Sequence, residues 1–98
     1  MSLALDADQL RIVREVLAAH RPPGFTVRAF GSRAAGTPRR YSDLDLAFVG
    51  EASLTLSQLG DLKDAFSESD LPFKVDVVDW RSASPFMQAV IDRDGVPI

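Results

Sequence analysis

The 98 residues contain no cysteine, one histidine, one tryptophan and one tyrosine. Without cysteine the chain can form neither a disulfide nor a thiolate metal site, and the redox compartment stays undecided. No apolar run approaches the roughly 20 residues that a membrane-spanning helix needs. The N-terminus, Met1-Ser2-Leu3-Ala4-Leu5-Asp6, lacks a basic stretch followed by an apolar one. No secretory signal is read there, and the cytoplasm is the expected compartment. An excess of positive charge is missing too: 11 Lys and Arg against 14 Asp and Glu leave a net charge of −3. That balance argues against a general nucleic-acid binder, although a few local arginines and a bound cation suffice for one nucleotide. What is present, 46% hydrophobic and 26% charged residues, fits a globular chain. The length suits one small domain over residues 1–98 with a modest core.

Helix signals are clear in three places. Asp6 with Gln9 forms a capping pair, Leu5 and Leu10 are spaced as a hydrophobic staple, and Leu10, Val13 and Leu17 with Ile12 and Val16 make an apolar stripe. This predicts a helix over residues 6–20, stopped by Arg21-Pro22-Pro23-Gly24. The lone His20 falls in its last turn, where a cation suits the helix dipole, and is read as structural. Thr55 with Gln58 repeats the capping pattern and opens a helix to about Ser69, with a stripe of Leu59, Leu62, Ala65 and Phe66. Ser84 and Pro85 fit the N-cap and first position of a last helix over about 85–93, with Gly95 just past its end. Between these lie three strand patterns, Phe25–Phe30, Leu44–Val49 and Phe73–Val78. A stretch of one or two helical turns is read over Ser32–Gly36. The order is α-β-(short α)-β-α-β-α, an α/β layered fold on a small sheet.

The chemistry concentrates in Gly31-Ser32-Arg33-Ala34-Ala35-Gly36-Thr37-Pro38-Arg39-Arg40-Tyr41-Ser42-Asp43-Leu44-Asp45-Leu46. A Gly-Ser turn entering a short helix offers backbone N–H groups and a hydroxyl to phosphate. Asp43 and Asp45 are two apart, so on a strand both carboxylates point to one face. Like charges placed so repel unless a cation joins them, and hard carboxylates of this kind hold Mg²⁺ that is shared with substrate phosphates. Asp76, between Val75 and Val77, is a charge inside a strand and needs a partner. Period two puts Asp79 on the other face, as a strand-end or capping residue. Arg33, Arg39 and Arg40 fit solvated surface charges, although Arg39 and Arg40, just ahead of the acidic strand, could also touch phosphates or a protein partner, and Trp80, Phe86 and Tyr41 are not assigned.

Gly31-Ser32, the Arg-small-Gly run and Ser42-Asp43-Leu44-Asp45-Leu46, followed by Asp76 in Lys74-Val75-Asp76-Val77-Val78, resemble the signature of the DNA polymerase β-type nucleotidyltransferases. Their smallest branch, the minimal nucleotidyltransferases (MNT), is the nearest in pattern. The resemblance runs from Phe25 to Val96. It implies a mixed sheet flanked by helices, with Asp43, Asp45 and Asp76 as catalytic metal ligands for two Mg²⁺ ions, Mn²⁺ being the alternative. It also implies that Gly31, Ser32 and Arg33 hold ATP or another nucleoside triphosphate. MNT chains of this size resemble antitoxins that adenylylate a tyrosine of a helical HEPN-type toxin, so a hetero-oligomeric partner is expected to supply the acceptor. Two other readings stay open: an antitoxin that acts by steric contact alone, and the catalytic half of a small-molecule transferase such as one acting on an aminoglycoside.

Overall fold

The computed structural model describes residues 3–35 and 42–98. The chain runs α1 (Ala7–His20), β1 (Thr26–Phe30), α2 (Ser32–Ala35), β2 (Leu44–Val49), α3 (Leu56–Ser67), β3 (Val75–Asp79), a 3₁₀ turn (Trp80–Ser82), α4 (Pro85–Asp94) and β4 (Val96–Pro97). Local chemistry sets the helix starts. The Asp6 carboxylate accepts from Gln9 N–H at 2.8 Å while Gln9 Oε1 accepts from Asp6 N–H at 3.1 Å. Thr55 and Gln58 repeat that exchange at 3.0 and 2.9 Å, and Ser84 Oγ accepts from Met87 N–H with Pro85 opening α4.

The four strands lie in the order β3-β2-β1-β4. β1 is antiparallel to β2 and to β4, whereas β2 and β3 are parallel, so the sheet is mixed. One face carries the larger core. Val13 and Leu17 of α1 and Leu62 and Phe66 of α3 pack there against Val27, Ala29, Leu44, Leu46, Phe48, Val75 and Val77. Leu5 packs on its border, and Leu10, its staple partner by spacing, stays half-buried. The opposite face carries a smaller cluster in which Phe30 and Ala47 meet Ile91 of α4, with Val78, Trp80, Met87 and Val90 around them. Alternation along β2 sends Leu44, Leu46 and Phe48 to the first face and Asp45 and Ala47 to the second. α4 therefore shares a face with Asp45 but covers only the Ala47 part of it.

Two elements are missing from the sequence reading, and β3 runs Val75–Asp79 where Phe73–Val78 was expected. The 3₁₀ turn follows β3 directly, and there Trp80 donates its Nε1–H to Asp92 Oδ1 at 3.1 Å and joins the α4 cluster. β4 adds a two-residue edge through Arg28 opposite Pro97 and Ala29 opposite Val96. Gly95, at the end of α4, has an ordinary φ of −65°. Its need for glycine is space: a Cβ there would collide with Ile91 O and lie 2.7 Å from Arg28 Nε. That close approach lets Arg28 Nη2 donate to Gly95 O at 2.6 Å, joining β1 to the helix end. Among the described residues no helix is long and apolar enough to cross a membrane.

Candidate active site

The acidic face is built by strand register. Parallel pairing puts Asp76 of β3 opposite Asp45 of β2, and antiparallel pairing puts Phe30 of β1 on the other side of Asp45. Asp43 precedes β2 by one residue and keeps the same parity as Asp45. The three expected carboxylates thus fall on the face that α4 leaves partly open. The Asp45 pKa is raised to about 6, first by burial, then by the charges of Asp76 and Asp43, and last by a hydrogen bond that its protonated carboxyl donates to Asp76.

Gly31 joins β1 to α2 with φ of +80°, a conformation that costs other L-residues about 1–2 kcal/mol. A Cβ at Gly31 would also collide with Asp45 Oδ2. The sequence reading asked for glycine so that backbone could approach phosphate; the geometry adds that the missing side chain makes room for the carboxylate itself. Ser32 opens the single turn of α2, closed by Ala35 N–H donating to Gly31 O at 3.0 Å.

Arg33 behaves differently from the expectation that it holds nucleotide. It is only 5% exposed. Its Nε donates to Ser42 O at 2.9 Å and its Nη1 to Ala4 O at 3.0 Å, while the guanidinium lies 3.9 Å over the Phe73 ring. Ala4 N–H in turn donates to Arg33 O at 2.9 Å. These bonds tie the N-terminal segment and α2 to the residue just before Asp43. Arg39, Arg40 and Tyr41 lie outside the described residues. Asp79 ends β3 as the sequence reading has it, and its Oδ2 accepts from Ser82 Oγ–H at 2.8 Å.

Among the described residues no three Asp, Glu, His or Cys side chains are gathered closely enough to hold an ion as they stand. Asp45 and Asp76 are in contact, and Asp43 acts on Asp45 through its charge. The donor set still fits a hard divalent cation. Mg²⁺ asks for one or two carboxylates and completes its shell with water and phosphate oxygens, and the repulsion that raises the Asp45 pKa is relieved when a cation binds between the carboxylates. Lys74 is a site residue that sequence reasoning passed over. Its Nζ is 3.4 Å from Asp76 Oδ1, and its position two residues before Asp76 was the available signal.

The Polymerase beta, Nucleotidyltransferase family matches residues 13–98. Over 91 residues the chain is 44% identical to a protein named Probable protein adenylyltransferase MntA from Haemophilus influenzae, covering 93% of this chain and 79% of that one. It is also similar, with a TM-score of 0.75 and 28% identity, to a chain in a crystal structure of a toxin–antitoxin with AMP-PNP, over 89% of this chain and 69% of that one. A third likeness is to a chain in the structure of tri-AMPylated Shewanella oneidensis HEPN toxin in complex with MNT antitoxin. There the TM-score is 0.65 and the identity 25%, over 91% of this chain and 69% of that one.

Proposed function

The chain belongs to the polymerase beta nucleotidyltransferase family, and from that premise we propose that it is a Mg²⁺-dependent antitoxin that transfers AMP from ATP to a tyrosine hydroxyl of a HEPN-type toxin. The observation that carries the reading is the contact of Asp45 with Asp76 across parallel strands, with Gly31 leaving room beside it. A relative named as a protein adenylyltransferase and a similar chain in a structure of an AMPylated HEPN toxin with MNT antitoxin support the choice of nucleotide and acceptor. The toxin and the antitoxin form the hetero-oligomer, and the compartment we assign is the cytoplasm.

In this reading Asp43, Asp45 and Asp76 would hold two Mg²⁺ ions, or Mn²⁺ in their place, which would supply positive charge at the phosphates while the acceptor oxygen bonds to the α-phosphorus and pyrophosphate leaves. The chain's own groups do the rest. Gly31 and Ser32 present backbone N–H groups and a hydroxyl to the phosphates. Arg33 works from beneath, fixing the backbone that leads into Asp43. Asp76, at the sheet edge, faces the incoming acceptor and takes or orients its hydroxyl proton. Partial burial of Asp45 weakens solvent screening at its carboxylate, which strengthens the charge interactions it makes.

Intact-mass measurement of the HEPN-type partner, co-expressed with this chain, tests the reading. A gain of one or more AMP groups is expected, located to tyrosine by fragmentation. A partner that is neutralised yet carries no added mass would overturn the transferase reading in favour of steric antitoxin action.

A further inference from the structure

Lys74 has no part in the mechanism described above. Its carbonyl accepts from Leu44 N–H at 2.9 Å, which extends the β2–β3 register by one step and sets Lys74 beside Asp43. Two residues on, Asp76 shares its strand face, and Lys74 Nζ approaches Asp76 Oδ1 to 3.4 Å. The lysine side chain is 73% exposed and that of Asp76 39%, so burial does not force the pairing. An exposed lysine on four flexible carbons is free to leave. The groove beside β3 is lined by Lys74 and Asp76 together with Asp64, Ser67 and Phe73, so the lysine and its aspartate both face an open groove.

We propose that Lys74 is a positioning residue that neutralises and holds Asp76 in the metal-free protein and is displaced when a divalent cation binds, so that lysine and metal compete for one carboxylate. This rests on the metal reading above only for the identity of the competitor. A state in which Asp76 is already occupied is not competent for metal, and apparent affinity falls in proportion to the competent fraction. For an exposed pair the occupied fraction is moderate, and the expected competition is about two- to fivefold.

The test uses the full chain without nucleotide and Mn²⁺ as the probe, with binding followed by electron paramagnetic resonance at fixed ionic strength. Lys74→Gln, which keeps the stem and removes the charge, should tighten Mn²⁺ binding about two- to fivefold, with a smaller gain at high salt. Lys74→Arg should bind like the parent. Lys63→Gln removes the same charge from the same groove and should change affinity far less, which separates the specific pair from the general field. Equal Mn²⁺ affinity in parent and Lys74→Gln, weaker binding by Lys74→Gln, or an equal gain from Lys63→Gln would each overturn the competition while leaving the metal reading intact. If neither parent nor variant binds Mn²⁺, the metal reading fails and the proposal fails with it. Thermal melting of Lys74→Gln in chelator checks that the variant is folded, as its exposure leads one to expect.

Discussion

At the scale of single residues, Asp45 is where folding and function oppose each other. Its carboxyl titrates near pH 6 rather than at its usual 3.8, because burial and two neighbouring carboxylates disfavour the charge. Between those two pH values the folded chain binds more protons at this group than the unfolded chain does, so Asp45 makes the metal-free protein less stable as pH rises through that window. Asp45→Asn should abolish this contribution. Denaturant melts in excess chelator should show the parent losing stability relative to Asp45→Asn from about pH 4 to about pH 6.5. At pH 7.5 the variant should be the more stable by on the order of 1 kcal/mol, a figure discounted for the solvent that still reaches the carboxylate. Parallel pH profiles would show that Asp45 carries no such penalty. The same group must be ionised to accept a cation, so divalent-metal affinity of the parent should climb as pH passes about 6.

At the scale of elements, α2 is the one that cannot stand alone. A four-residue turn is far below the length at which a helix holds itself in water, and Arg33 supplies what it lacks. Arg33→Met keeps the stem but strips the hydrogen bonds to Ser42 O and Ala4 O and the stacking on Phe73, and should cost about 2–3 kcal/mol in denaturant melts. Arg33→Lys should fall between, since one ammonium cannot serve both carbonyls and the ring. Amide exchange at Ala4, whose N–H donates to Arg33 O, should quicken in both variants; a change below about 0.5 kcal/mol would class the contacts as incidental. The same residue shows where sequence legibility ends. Asp6, Thr55 and Ser84 were readable as caps because each is satisfied within three residues, and β2 matches its expected bounds because its apolar run is interrupted by Asp45 alone. Arg33, flanked by small residues, reads like a surface or ligand-binding arginine; its partners Ala4 and Phe73 come from distant parts of the chain. β4 was invisible for a similar reason: two residues carry no period, and its pairing to Arg28 and Ala29 is entirely long-range. The acids were legible as a set through spacing and family resemblance, whereas their pairing across a parallel register is a property of the sheet.

At the scale of the whole molecule, the sheet divides the labour. One face is sealed by α1 and α3, and the other is shared between α4 and the acidic residues. Nothing in the larger core depends on the charge of Asp43 or Asp45, since Leu44, Leu46 and Phe48 alternate with them into the opposite face. Chemistry and docking are therefore separable by isosteric substitution. Asp43→Asn combined with Asp45→Asn keeps side-chain volume, removes two of three like charges and leaves the core contacts in place. The double variant should fold, with metal-free stability at neutral pH equal to or above that of the parent. It should bind the toxin within about threefold of the parent's affinity, because amide-for-carboxylate changes on a face that we propose holds metal and phosphate would remove little protein–protein contact. Transfer of AMP should drop by at least about 10²-fold, because two of the three groups proposed to hold the ions would have lost their charge. Calorimetry of toxin binding, intact-mass analysis of the toxin and growth rescue at matched expression would be measured together. Binding retained with modification and rescue both lost is the outcome of a transferase antitoxin. Rescue retained without modification would assign neutralisation to contact alone, and loss of binding would mean that the acidic face is itself part of the docking surface.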